Sequence, residues 1–112
     1  MDIAFRDRKL LKCANEHRTA VKTLGPERAD RFRKRLTELR AATCLEDLRH
    51  LPQAKFHELK ANRAGQIACN LDHPYRLIMV PAHDPPPLNA DGGLDWNLIT
   101  AVKVIDIVDY HE

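Results

Sequence analysis

A chain of 112 residues is long enough for one domain with one core, spanning residues 1–112, and too short for a catalytic domain plus a separate regulatory one. Its 44% apolar and 30% charged content excludes disordered and membrane-embedded classes, and the 5% aromatic share predicts an aliphatic core. The net charge of +2 is unevenly spread, because residues 1–40 hold twelve Lys or Arg against six Asp or Glu while the remainder hold six against ten. Charge location decides which partner a surface attracts.

The opening Met1-Asp2-Ile3-Ala4-Phe5-Arg6 is charged within its second residue and lacks an apolar run, so the expectation is a cytoplasmic protein without a secretory signal or a membrane span. Cys13, Cys44 and Cys69 stand at wide spacings with no Cys-x-x-Cys pair, and are expected to be buried or half-buried thiols.

Asp2–Phe5 reads as a short strand. Leu10, Ala14, Val21 and Leu24 then recur at helical spacing among Lys9, Lys12, Arg18 and Lys22, predicting one amphipathic helix. Gly25-Pro26 supplies a helix stop followed by a first-turn proline. In the helix that follows, Ala29, Phe32, Leu36 and Leu39 form the apolar stripe, and Arg28, Arg31, Arg33, Lys34, Arg35 and Arg40 occupy the other faces. The result is a basic helical hairpin.

Thr43-Cys44-Leu45-Glu46 fits a capping box opening one packed turn of Leu45, Leu48 and Leu51, which Pro52 ends. Beyond it the period becomes alternating, with expected strands at residues 55–60, 66–71, 75–80 and 99–110. The short links at residues 61–65 and 72–74 predict antiparallel neighbours. The last strand carries β-branched residues on both parities and is placed inside the sheet. Residues 81–97, with Pro85-Pro86-Pro87 and Asp91-Gly92-Gly93, are read as a surface loop, either mobile or inserted.

Leu24-Gly25-Pro26, the run from Arg40 to Arg49, Asn62-Arg63-Ala64-Gly65-Gln66, Tyr75-Arg76-Leu77 and the ending Asp106-Ile107-Val108-Asp109-Tyr110-His111, in that order, resemble HigB toxins of the RelE/ParE superfamily. The resemblance covers nearly the whole chain. It departs from the common pattern at Ala61-Asn62, where Gly-Asp is usual, at Ala68, where Ser is frequent, and in the longer Pro-rich loop. The fold it implies is α+β and RelE/ParE-like, an N-terminal strand and helical hairpin packed on a mostly antiparallel sheet of four to five strands.

The activity it implies is ribosome-dependent cleavage of mRNA, with neither metal nor cofactor required. The 2′-hydroxyl attacks the adjacent phosphate and the 5′-oxygen leaves. Such a reaction needs a base, an acid and cations around the phosphate. The site residues that follow are His57, Lys60, Arg63, Arg76, Tyr110 and His111. An imidazole at His57 suits proton transfer near neutral pH, although a strand histidine at a surface is also an ordinary feature. Lys60, Arg63 and Arg76 are candidates to converge on one phosphate, or to be ion-pair partners of Glu58 or Asp72. Arg76, in a β-rich run, is the expected phosphate clamp.

His57 and Lys60, three apart, face one site only if the strand ends or bulges near Leu59. Tyr110 and His111 are read as a stacking or proton-orienting phenol and a second imidazole, with acid and base left open between His57 and His111. His17, His50, His73 and His83 have no paired-ligand spacing for zinc.

The implied partners are the ribosome and mRNA, and a HigA-like antitoxin that alone would contact operator DNA. The basic helices suit ribosomal RNA, an acidic antitoxin or plain solvation. Two rival readings share the fold: a ParE-like toxin that binds DNA gyrase without cutting RNA, and a non-toxic module that keeps only the antitoxin interface.

Overall fold

In a computed structural model, which describes residues 1–109, strand β1 (Asp2–Phe5) leads into helices α1 (Arg8–Asn15), α2 (His17–Leu24) and α3 (Pro26–Ala41). Strands β2 (His57–Glu58), β3 (Ile67–Asn70), β4 (Tyr75–Pro81) and β5 (Ala101–Asp109) complete a five-stranded sheet in the order β1-β5-β4-β3-β2. Strands β2 to β5 form an antiparallel meander, and β1 joins the edge of β5 in parallel. The fold is therefore α+β with a mixed sheet, and β5 lies inside it.

The expected first helix is two. The break falls at Glu16, whose backbone is extended (φ −129°, ψ 103°) and closes α1 while opening α2. Its N–H still donates to Lys12 O and its carbonyl still accepts from Ala20 N, so the chain leaves the helix for one residue without orphaning a polar group. The break lets α1 lie against β1 while α2 packs along α3. Gly25 then takes a positive φ of 88° between α2 and α3, with Pro26 in the first turn, as its sequence demands.

On α3 the stripe Ala29, Phe32, Leu36 and Leu39 is buried as expected. Arg35 is a correction: it lies within this stripe, 2% exposed, and pairs with Glu38 at 3.1 Å. The cap of the turn Leu45–Leu48 is also displaced by one residue. Cys44 is the capping position, and the Asp47 carboxylate, rather than that of Glu46, accepts from the N–H groups of Thr43 and Cys44 at 3.0 and 3.3 Å. Leu45 and Leu48 are buried beneath it.

The alternation of the strands separates two faces. Ile67, Cys69, Leu77, Met79, Val102 and Val104 pack toward the helices in the main core. Leu59, Ala68 and Ile78, with Ile105 and Val108 beside them, form a smaller cluster on the opposite face. A bulge is needed to keep both sets aligned, since Ile78 pairs with Asp106 and Met79 with Val104, leaving Ile105 extra.

Strand β2 is only two residues long rather than six. Lys55 (φ 49°) and Ala61 (φ 56°) adopt the left-handed region on either side of it, and a left-handed residue cannot continue a ladder. Residues 81–97 are not a detached loop. Leu88 bridges Leu94, and Leu94 and Trp96 are 3% and 1% exposed in the main core. The Glu58 carboxylate fastens them, accepting from Trp96 Nε1 at 2.9 Å and from Leu94 N at 3.1 Å. No helix among the described residues is long and apolar enough to cross a membrane.

Candidate functional site

His57 pairs with Ala68 across β2 and β3, Ala68 with Ile78, and Asn70 with Arg76 across β3 and β4. Directly paired residues share a face, so His57 and Arg76 both stand on the face away from the helices, two strands apart. Between them β3 presents the methyl of Ala68, which leaves room for the two long side chains to approach. Arg76 Nη1 lies 3.4 Å from His57 Nε2.

The other ring nitrogen, Nδ1, lies 2.7 Å from the carbonyl oxygen of Lys55. A carbonyl only accepts, so Nδ1 carries the proton in this contact, and a guanidinium only donates, so Nε2 presents its lone pair. The geometry therefore selects a neutral imidazole with its basic nitrogen turned toward a cation. That is the arrangement a general base needs beside a bound phosphate.

Two clefts lie beside the pair, one against His57 and one against Arg76. One, of about 550 Å³, is lined by Arg49, His50, Lys55 and His57 among others. The second, of about 280 Å³, is lined by Lys55, Asn70, His73, Tyr75 and Arg76 among others. Among the described residues neither lining contains a carboxylate, and Lys55 lines both clefts, while Arg49 of the first is paired with Glu46 at 2.7 Å and lies over the Trp96 ring. Two carboxylates in this region are engaged with other groups. Asp72 takes Arg28 Nε and Nη2 at 3.0 and 3.1 Å, and the same guanidinium covers the Tyr75 ring at 3.4 Å. Glu58 is committed to Trp96 and Leu94.

Of the six residues singled out from the sequence, His57 and Arg76 meet. Arg63 is held within its own turn, Nη1 donating to Gln66 Oε1 at 2.9 Å. The Lys60 side chain is exposed, and among the described residues no hydrogen bond or ion pair links Lys60 or Arg63 to His57. The strand does end at Glu58, which releases Lys60 from strict alternation, but the structure does not gather the expected cluster of Lys60, Arg63 and Arg76 into one contact set. Tyr110 and His111 lie outside the described residues.

Sequence reading missed Lys55, which lines both clefts and orients His57 through its backbone, because nothing in a lysine's identity signals a left-handed conformation. It also passed over His50 and His73, which stand in the two clefts although neither has ligand spacing. No family model matches the chain, and no curated protein matches it.

Proposed function

We propose that this chain is the toxin of a type II toxin-antitoxin pair, RelE/ParE-like in fold and HigB-like in action, which cleaves mRNA on the ribosome. The observation that carries the reading is the contact of His57 Nε2 with Arg76 Nη1 at 3.4 Å on one sheet face, with a cleft beside each residue and Lys55 lining both clefts. The order of strand, helices and antiparallel meander agrees with the expectation drawn from the HigB resemblance.

In this reading the scissile phosphate sits against Arg76, whose planar fork grips two oxygens at once. His57 Nε2 removes the 2′-hydroxyl proton, the 2′-oxygen forms a bond to phosphorus, and the bond to the 5′-oxygen breaks. The leaving oxygen takes a proton from an acid, a role proposed for His111 with Tyr110 beside it. The products are a 2′,3′-cyclic phosphate and a 5′-hydroxyl. The cations of the two clefts offset the negative charge that grows on the phosphoryl oxygens. The basic face of α1 to α3 is the surface proposed for ribosomal RNA or for a HigA-like antitoxin.

The test is incubation of the purified chain with ribosomes carrying a defined mRNA, followed by analysis of the ends. Fragments with 2′,3′-cyclic phosphate and 5′-hydroxyl termini are expected. Removal of the base in His57→Ala should slow cleavage by about 10²–10⁴-fold. Intact mRNA together with inhibited gyrase supercoiling would replace this proposal with the ParE-like reading.

A further inference from the structure

We infer that Lys55 is a positioning residue whose left-handed backbone locks His57 in the tautomer that leaves Nε2 free to take a proton; the inference rests on the nuclease reading of His57. Lys55 has φ 49°, a conformation that L-residues with a Cβ occupy infrequently. Such a residue persists only where its surroundings over-determine it, and it concentrates at functional sites.

Each backbone group around Lys55 is spoken for. Its N–H donates to Leu51 O at 3.1 Å, and the carbonyl of the preceding Ala54, a fully buried residue, accepts from Asn70 N at 2.7 Å. These two bonds tie the Ala54–Lys55 peptide to the preceding turn and to β3. With that peptide held, the left-handed φ swings the Lys55 carbonyl out of the extended path, and the carbonyl oxygen lies 2.7 Å from His57 Nδ1, two residues on. An extended residue at 55 would carry β2 onward and turn this carbonyl away from the ring.

The consequence is chemical. In water a neutral histidine side chain prefers its proton on Nε2, which would turn an N–H, rather than a lone pair, toward Arg76. The Lys55 carbonyl reverses this preference by accepting from Nδ1. The residue types at 55 can then be ranked by their tolerance of positive φ. Glycine keeps the carbonyl in place without steric cost, and a β-branched residue does not.

The test is ¹⁵N NMR of the His57 ring in the full chain, at a pH where the imidazole is neutral, for wild type, Lys55→Gly and Lys55→Val. The Nδ1–H tautomer is expected to dominate in wild type and in Lys55→Gly, and to give way to Nε2–H in Lys55→Val. In cleavage of ribosome-bound mRNA, Lys55→Val should have a kcat about tenfold below that of Lys55→Gly, since misaligning a catalytic group costs rate rather than affinity. A dominant Nε2–H form in wild type would overturn the inference without needing any variant to fold, as would equal tautomer populations in folded Lys55→Gly and Lys55→Val. A wild-type chain that shows the Nδ1–H form and yet cuts no RNA would uphold the lock and overturn the nuclease reading.

Discussion

Replacing Glu58 by alanine should cost about 3 kcal/mol of folding stability, because two buried donors lose a charged acceptor at once. Its carboxylate accepts from Trp96 Nε1 at 2.9 Å and Leu94 N at 3.1 Å, and both residues are almost wholly buried, at 1% and 3% exposed. A hydrogen bond to a charged group contributes about 1.5–3 kcal/mol, and an orphaned buried donor costs about 1–3 kcal/mol. The two bonds share one half-buried carboxylate, so their contributions do not simply add. For a domain of this size the loss corresponds to a fall in melting temperature of roughly 12 °C. Glu58→Gln keeps one good acceptor and should lose about 1 kcal/mol. Urea unfolding followed by far-UV circular dichroism gives both differences, and the fluorescence of Trp96, the sole tryptophan, reports the loop it anchors. A loss below about 1 kcal/mol for Glu58→Ala, or equal losses for the two variants, would refute the claim that this carboxylate holds residues 81–97 on the core.

Three further outcomes follow from the same physical reasoning. Burial pushes the Cys69 thiol far above its ordinary range, outweighing the nearby Arg35 guanidinium. Below pH about 8.5 the thiol is neutral in both states; above it only the unfolded chain loses the proton, so stability should fall by up to about 1.4 kcal/mol per pH unit. Cys69→Ala should remove that slope in urea titrations between neutral and alkaline pH, whatever its effect on absolute stability. In the Arg35–Glu38 pair, Arg35 Nε has no hydrogen-bond partner among the described residues. Arg35→Met should therefore be within about 1 kcal/mol of neutral, whereas Glu38→Ala, which strands the buried guanidinium, should lose about 3 kcal/mol by the same urea assay. Arg76→Lys keeps the charge but not the fork, and should lower kcat on ribosome-bound mRNA by about tenfold or more with thermal stability little changed.

Much of the scaffold was legible because local chemistry and tertiary structure agree. Gly25-Pro26 divides two helices, the Phe32-Leu36-Leu39 stripe is buried, and the short links at residues 61–65 and 72–74 join antiparallel strands. The largest miss comes from contacts distant along the chain, and that of Arg35 from a local pair. Trp96 and Leu94 look like loop residues until Glu58, more than thirty residues away, is seen to bind both. Arg35 looks exposed until Glu38 pairs with it inside the stripe.

At the site, His57 and Arg76 could be placed on two strands of one antiparallel meander from alternation and short links alone. Their shared face depended on the register through Ala68 and Asn70, which sequence does not specify. The condition set for Lys60 is met, since β2 stops at Glu58, but the left-handed backbone of Lys55 and Ala61 on either side of that short strand is signalled by neither residue type. Residues 110 and 111, named from the sequence for the same site, lie outside the described residues.

The central claim is that the His57–Arg76 pair cuts mRNA during translation. Its most direct test is inducible expression of wild type, His57→Ala and Arg76→Ala in a bacterial host, with the 5′ ends of cellular mRNA mapped shortly after induction. The account predicts cuts phased with the reading frame in wild type and their loss in both variants, at equal protein levels. Growth arrest with mRNA left intact, or phased cuts that persist in Arg76→Ala, would contradict it.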